Sequence, residues 1–235
     1  RSVSRGLGDV YKRQPYNKTG MSLAKPAKIV YDTVIRATAR KGAHHAYRFR
    51  FLRQLLLTVL LLALLALVAA GGYFAVTGHK LYERAIQVTP IDTLYSSISS
   101  REGFVPYAQL PQTYINAVIS AEDSRFTHHK GVDPVSIARA LVTDLRTGSF
   151  AEGGSTITQQ LAKNTLFTQE KHLARKAAEM FAALAIEKQY NKEQIFEMYV
   201  NTIYFGSGHY GIGEAAQGYF GKTPLQLTDA EAVML

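Results

Sequence analysis

Residues 54–78 run for 25 positions without a charged side chain, around the block Leu55-Leu56-Leu57-Thr58-Val59-Leu60-Leu61-Leu62-Ala63-Leu64-Leu65. As a helix this stretch covers roughly 37 Å, longer than the roughly 30 Å hydrocarbon core of a bilayer. The core helix of a soluble protein rarely stays apolar on every face for that length. The apolar region of a cleaved signal peptide is shorter, about 7–15 residues. The run therefore predicts a transmembrane helix. Tyr73 and Tyr82 are expected to anchor it at the outer interface.

Charge gives the direction of that helix. The chain carries 27 Lys+Arg against 18 Asp+Glu, a formal net charge of +9. Residues 1–20 hold +4 and residues 21–53 hold +7, so residues 54–235 sum to −2. A basic amino-terminal flank, facing a mixed carboxy-terminal one (Lys80, Glu83, Arg84), predicts a cytoplasmic N-terminus and an extracytoplasmic body. The same partition removes nucleic acid as a partner, because a domain that binds it carries its own basic face. With no cysteine, the chain has no disulfide, thiolate zinc site, iron–sulfur cluster or cysteine nucleophile.

The rest of the chain divides by composition. Residues 1–20 form a leader of non-native or disordered character. Within it, residues 1–14 read like a translated sequencing adapter, with native translation expected near Met21. Residues 21–53 are the basic cytoplasmic tail. Residues 79–113 read as a stem, where Pro90, Asp92, Pro106 and Pro111 set turns and residues 93–98 suggest a short strand. From residue 114 the periods become helical, over a helix ending at Glu122-Asp123 and over residues 135–145, 172–190 and 193–201. Another helix is expected to start at Ser155 or Thr156, since Thr156 and Gln159 have capping-box spacing. Residues 146–154 have the composition of a mobile loop. The fold class is mainly α. Residues 228–235 stop inside a helical pattern, so the native chain is expected to continue.

Polar chemistry gathers at four places in these apolar patterns. Glu122-Asp123 ends an apolar helix, with Phe126, His129 and Gly131 after it. Gly153-Gly154-Ser155-Thr156 opens a helix whose free N–H groups favour an anion, and Gln160 and Lys163 lie about one turn on. Lys171, Arg175 and Glu179 are spaced by four, with Lys176 beside them: a cationic face for phosphate around an ionised carboxylate, or a solvated salt-bridge ladder. Gly206-Ser207-Gly208-His209-Tyr210-Gly211 matches the dinucleotide fingerprint, but a helical pattern precedes it and no βαβ unit surrounds it.

Together these segments resemble the family 51 glycosyltransferases, the peptidoglycan polymerases found alone or as the N-terminal half of class A penicillin-binding proteins. The resemblance covers about residues 105–235. Five motifs carry it, in order: Glu122-Asp123-Ser124-Arg125-Phe126-Thr127-His128-His129-Lys130-Gly131; Gly154-Ser155-Thr156-Ile157-Thr158-Gln159-Gln160; Arg175-Lys176-Ala177-Ala178-Glu179; Ile195-Phe196-Glu197-Met198-Tyr199-Val200-Asn201; and Gly211-Ile212 with Ala215-Ala216 and Tyr219-Phe220-Gly221-Lys222.

The resemblance implies a lysozyme-like, mainly α glycosyltransferase domain over residues 114–235. It would polymerise lipid II into β-1,4-linked glycan by inverting displacement, releasing undecaprenyl pyrophosphate. Its partners would be lipid II, the growing strand, the membrane and cell-wall synthesis proteins. By the same resemblance Glu122 is the general base, Asp123 supports it, and Glu179 sits in the donor site. Lys163, Lys171, Arg175 and Lys176 surround the pyrophosphate, while Ser155, Thr156, Gln160 and Asn164 line the cleft. Moenomycin, a phosphoglycolipid antibiotic, occupies the donor site in this family. Some members use a divalent cation, Mg or Mn, at the pyrophosphate; no ligand cluster in the sequence identifies one. Two other readings stay open, a membrane-anchored lytic enzyme that cleaves glycan and an inactive wall-synthesis scaffold.

Overall fold

The computed structural model describes residues 24–148, 153–167 and 173–235, in two units that divide between Ala66 and Leu67. The leader and the start of the basic tail lie outside the described residues. Helix α1, Ala24–Val88, accounts for all of the first unit that is described and runs on into the second. Every side chain from Leu55 to Leu65 is exposed, Leu61 at 56%. The exposed apolar segment of this helix is long enough to cross a bilayer and fits a single span.

The second unit is helical throughout, and among the described residues the only β feature is one isolated antiparallel bridge, Tyr204 to Tyr210. After α1 come α2 (Leu94–Ser99), α3 (Gln112–Glu122), α4 (Pro134–Thr147), α5 (Ile157–Leu166), α6 (Leu173–Gln189), α7 (Lys192–Val200), α8 (Ile212–Phe220) and α9 (Asp229–Met234). The centre is α5, which packs against α6 and α7 and buries Ile157, Leu161 and Ala162 completely. Tyr114, Phe126, Ile195, Phe196 and Met198 complete the core around it. Each such aliphatic or aromatic side chain contributes about 1.5–3 kcal/mol by leaving water.

The alanine-rich sequence of α6 governs how closely its neighbours approach. Ala174, Ala178, Ala182 and Ala183 are buried, leaving no bulk between backbones. A Cβ on Gly78 of α1 would lie 2.5 Å from Ala177 Cβ, and one on Gly131 would lie 2.7 Å from the Ala183 carbonyl oxygen. Only glycine fits at either contact, and Gly131 also has a φ of +91°. Tyr82 is half-buried against the Phe181 ring, whereas Tyr73 is 66% exposed.

One reading of the stem changes. Residues 93–98 are not extended: a 3-10 turn at Ile91–Thr93 leads into α2. Leu94 and Ile98, four apart, are buried at 2% and 1% exposure, and α2 packs on α7, so a helical turn places both in the core. The stem is also clasped. The Asn201 amide accepts from Val105 N–H and donates to Val105 carbonyl, both at 2.9 Å, and Glu197 Oε1 accepts from Tyr107 N–H at 2.7 Å.

Helix α4 buries none of its side chains. Asp133 caps it, accepting from Val135 N–H, and Gly148 ends it in the left-handed conformation. Ile137, Leu141 and Leu145 form an apolar stripe along one side, Leu145 at 78% exposure.

Candidate active site

Helix α3 ends at Glu122, and Asp123 leaves it with φ −156° and ψ 74°. That break sends two adjacent carboxylates in different directions. Glu122 stays exposed, while Asp123 is buried at 6% exposure. A buried carboxylate needs partners, and Asp123 has three contacts: His129 Nε2 at 2.9 Å from Oδ2 and 3.1 Å from Oδ1, and the Ile157 N–H at 3.1 Å. Gly131 N–H donates to His129 Nδ1 at 3.2 Å, so the ring proton belongs on Nε2, where it faces the carboxylate. Asp123 thereby ties the end of α3 to the start of α5, where the unpaired N–H groups of a helix terminus favour an anion.

The expected capping box closes that terminus. Thr156 Oγ1 accepts from Gln159 N–H at 3.1 Å, Gln159 Oε1 accepts from Thr156 N–H at 3.0 Å, and the helix begins at Ile157. Thr156 Oγ1 also donates to Gly131 carbonyl at 2.6 Å, so its hydroxyl is committed to the scaffold.

Along the outer face of α5, Gln160 Nε2 donates to Glu122 Oε2 at 2.7 Å. Gln160 Oε1 accepts from Tyr199 Oη at 3.2 Å. Tyr199 is 3% exposed, and burial together with the Glu122 charge raises its phenol above the ordinary tyrosine range. It therefore stays a donor at any physiological pH. Lys163 and Asn164 lie further along the same face, half-buried and exposed.

The cation cluster meets α5 at its other flank. Glu179 is 1% exposed, with Arg175 Nε 3.0 Å from Oε1 and Lys176 Nζ 3.1 Å from Oε2. Lys176 Nζ also donates to Ser155 Oγ. Glu122 and Glu179 are thus both linked to the N-terminal part of α5, one through Gln160 and the other through Lys176 and Ser155. Lys171 lies outside the described residues, as do residues 149–152 of the expected loop.

A polar pocket of about 170 Å³ opens between the end of α3, helix α4 and the residues leading into α5, with no residue of α6 in its lining. Its lining includes Glu122, Asp123, Ser136, Arg139, Ser155 and Thr156. Arg139 and Ser136 come from α4, and nothing in their spacing singled them out. Among the described residues no three His, Asp or Glu side chains converge as a metal cage would require. Both oxygens of Glu179 already face cations, and both of Asp123 face His129.

Residues 89–235 match the transglycosylase family. The chain belongs to that family. The transglycosylase domain is lysozyme-like. Penicillin-binding protein 1A of Aquifex aeolicus is 47% identical over 143 residues, which cover 60% of this chain and 20% of that protein. Penicillin-binding protein 1A of Haemophilus influenzae is 40% identical over 187 residues, 79% of this chain and 22% of that protein. The Escherichia coli protein of the same name is 49% identical over 127 residues, 54% of this chain and 15% of that one. The chain spans about a fifth of the length of these relatives. The match starts in the stem, in keeping with Leu94, Ile98, Val105 and Leu110 being part of the transglycosylase core. The glycine-rich 206–211 stretch lies between α7 and α8, and among the described residues no sheet stands beside it to give a dinucleotide-binding context.

Proposed function

We propose that this transglycosylase polymerises lipid II into β-1,4-linked glycan strands, working on the outer leaflet with its N-terminus in the cytoplasm. The observation that carries the reading is the pairing of an exposed carboxylate, Glu122, with a cation-bound one, Glu179, on two flanks of the α5 N-terminus.

Glu122 serves as general base. One of its oxygens is held by Gln160, and the other accepts the proton from the 4-hydroxyl of the acceptor GlcNAc. The acceptor oxygen then bonds to C1 of the donor sugar from the face opposite the lipid pyrophosphate, and the C1–O bond to phosphate breaks with its electron pair. An α-linked donor yields a β-linked product in one inversion. The leaving undecaprenyl pyrophosphate carries away the charge, so it needs cations where a hydrolase needs a general acid. Lys163, Arg175 and Lys176 supply them, with Lys171 completing the set. Ser155 and Asn164 border the bound phosphates, and the α5 N-terminus adds its dipole.

Glu179 keeps Arg175 and Lys176 in place and does not touch the sugar, as its burial between them favours. A divalent ion at the pyrophosphate would take its oxygens from the phosphates and water, because the carboxylates beside it are engaged. The test is polymerisation of lipid II by the purified chain in detergent. Wild type is expected to make polymer and Glu122→Gln to lose at least about 10³-fold in rate with unchanged thermal unfolding. Near-wild-type turnover in the variant removes Glu122 from the base role. Cleavage of preformed glycan strands would favour the lytic reading.

A further inference from the structure

We infer that Tyr199 is a positioning residue for the glycosyl transfer, acting on Glu122 through Gln160. It rests on the proposed role of Glu122 as base and adds a residue outside the cleft to the reaction.

The two ends of the Gln160 amide face different partners. A carboxylate that is to accept a proton is ionised and can only accept hydrogen bonds, so the Gln160 side chain must present its N–H₂ to Glu122. Its carbonyl end then points the other way, toward Tyr199, and must find a donor there. The phenol O–H at 3.2 Å is that donor. With the amide reversed, two acceptors would face each other at 2.7 Å, the separation now occupied by the Nε2–Oε2 bond. The orientation of Gln160 is therefore fixed from both sides: by charge at Glu122 and by a buried hydroxyl at Tyr199.

Tyr199 is suited to hold that position. It is nearly fully buried on α7, out of reach of a substrate in the cleft, and its neighbours Met198 and Val200 are completely enclosed. It sits on a packed helix that contacts α5 directly. Gln160, by contrast, is half-buried on a surface helix face and without the phenol would sample other rotamers. Glu122 ends its helix with an exposed side chain, so the Gln160 bond is the contact that fixes its carboxylate among the described residues. The relay leaves the second carboxylate oxygen unengaged for the acceptor hydroxyl. A base displaced by about 1 Å can cost on the order of 10²-fold in rate.

The test measures steady-state lipid II polymerisation by the full chain in detergent, with four variants beside wild type: Tyr199→Phe, Gln160→Ala, the double variant, and Gln160→Glu. Tyr199→Phe removes one oxygen and keeps the ring that packs the core. Its kcat is expected to fall about 10- to 100-fold while KM stays within about two-fold and the thermal midpoint is unchanged. Because Tyr199 acts only through Gln160, the double variant should be no slower than Gln160→Ala alone. Gln160→Glu, which can still accept from Tyr199 but has no N–H for Glu122, should lose as much as Gln160→Ala. An active wild type with unchanged kcat in Tyr199→Phe overturns the relay and leaves the base assignment standing. Losses that multiply in the double variant overturn it too, since they mark a structural effect of the phenol. Unimpaired Glu122→Gln in the same assay overturns the base assignment and the relay together.

Discussion

His129 holds its Nε2 2.9 Å from Asp123 Oδ2, and both side chains are buried, 4% and 2% exposed. The carboxylate next to the proposed base is therefore part of the scaffold, joining the end of α3 to the first free N–H of α5. Replacing His129 by Ala leaves a buried charge short of a donor. The expected loss is about 2–4 kcal/mol of unfolding free energy, measured by denaturant titration in detergent. A loss below about 1 kcal/mol would mean that water or a shifted backbone replaces the imidazole.

Moenomycin binding reports on the cation cluster without requiring turnover. Lys163 lies on the α5 face beside Gln160, and Arg175 is in ionic contact with Glu179. Removing both cations, as Lys163→Ala with Arg175→Ala, is expected to weaken moenomycin by about 10- to 100-fold in Kd by calorimetry. Unchanged affinity would place the phosphate site elsewhere.

Loss of stability in acid has a specific source at Asp133. Burial pushes this carboxyl up, but hydrogen bonds from Ser136 Oγ and from the Val135 and Ser136 N–H groups, with the Arg125 charge 2.9 Å away, outweigh it and hold it at about 2. The folded value lies below the ordinary 3.8, so the stabilisation is fully present above about pH 4 and disappears as pH falls toward 2. Asp133→Asn should flatten unfolding free energy against pH across that interval. If wild type and variant keep parallel slopes there, another carboxylate dominates.

Tyr114 presents the opposite case, a buried hydroxyl with no hydrogen-bond partner among the described residues. Its ring is fully enclosed, and burial raises its phenol above the usual range. Tyr114→Phe removes an unsatisfied polar atom and little volume. The expected gain is about 1 kcal/mol, or a thermal midpoint about 2–4 °C higher by calorimetry. A lower midpoint would reveal a bridging water at that hydroxyl.

The parts of this structure that were legible in the sequence depend on near neighbours. The Thr156–Gln159 box is local, and it caps α5 as expected. The expected helix over residues 172–190 is α6 at Leu173–Gln189, and the one over 193–201 is α7 at Lys192–Val200, because their apolar spacing was unambiguous. Of the expected face of Lys171, Arg175 and Glu179 with Lys176 beside it, the Arg175–Glu179 pair follows from turn geometry alone, and Lys171 lies outside the described residues. What escaped notice depends on chain segments far apart. Asn201 meets Val105 across 96 residues and Tyr199 meets Gln160 across 39, and no periodicity records such pairings. The helix at residues 94–99 was missed for the same reason: the six-residue α2 has too few turns to show a period, and its packing on α7 fixes it.

The grip of Glu197 and Asn201 on Val105 and Tyr107 bears on how the enzyme is dissected. A fragment trimmed to residue 114 would retain the whole proposed reaction centre, yet leave a carboxylate and an amide stranded in a hydrophobic interior and open the groove that Leu94 and Ile98 fill. Soluble versions for crystallography or inhibitor screening should therefore be cut upstream of the 3-10 turn at Ile91, so that this inner collar travels with the catalyst.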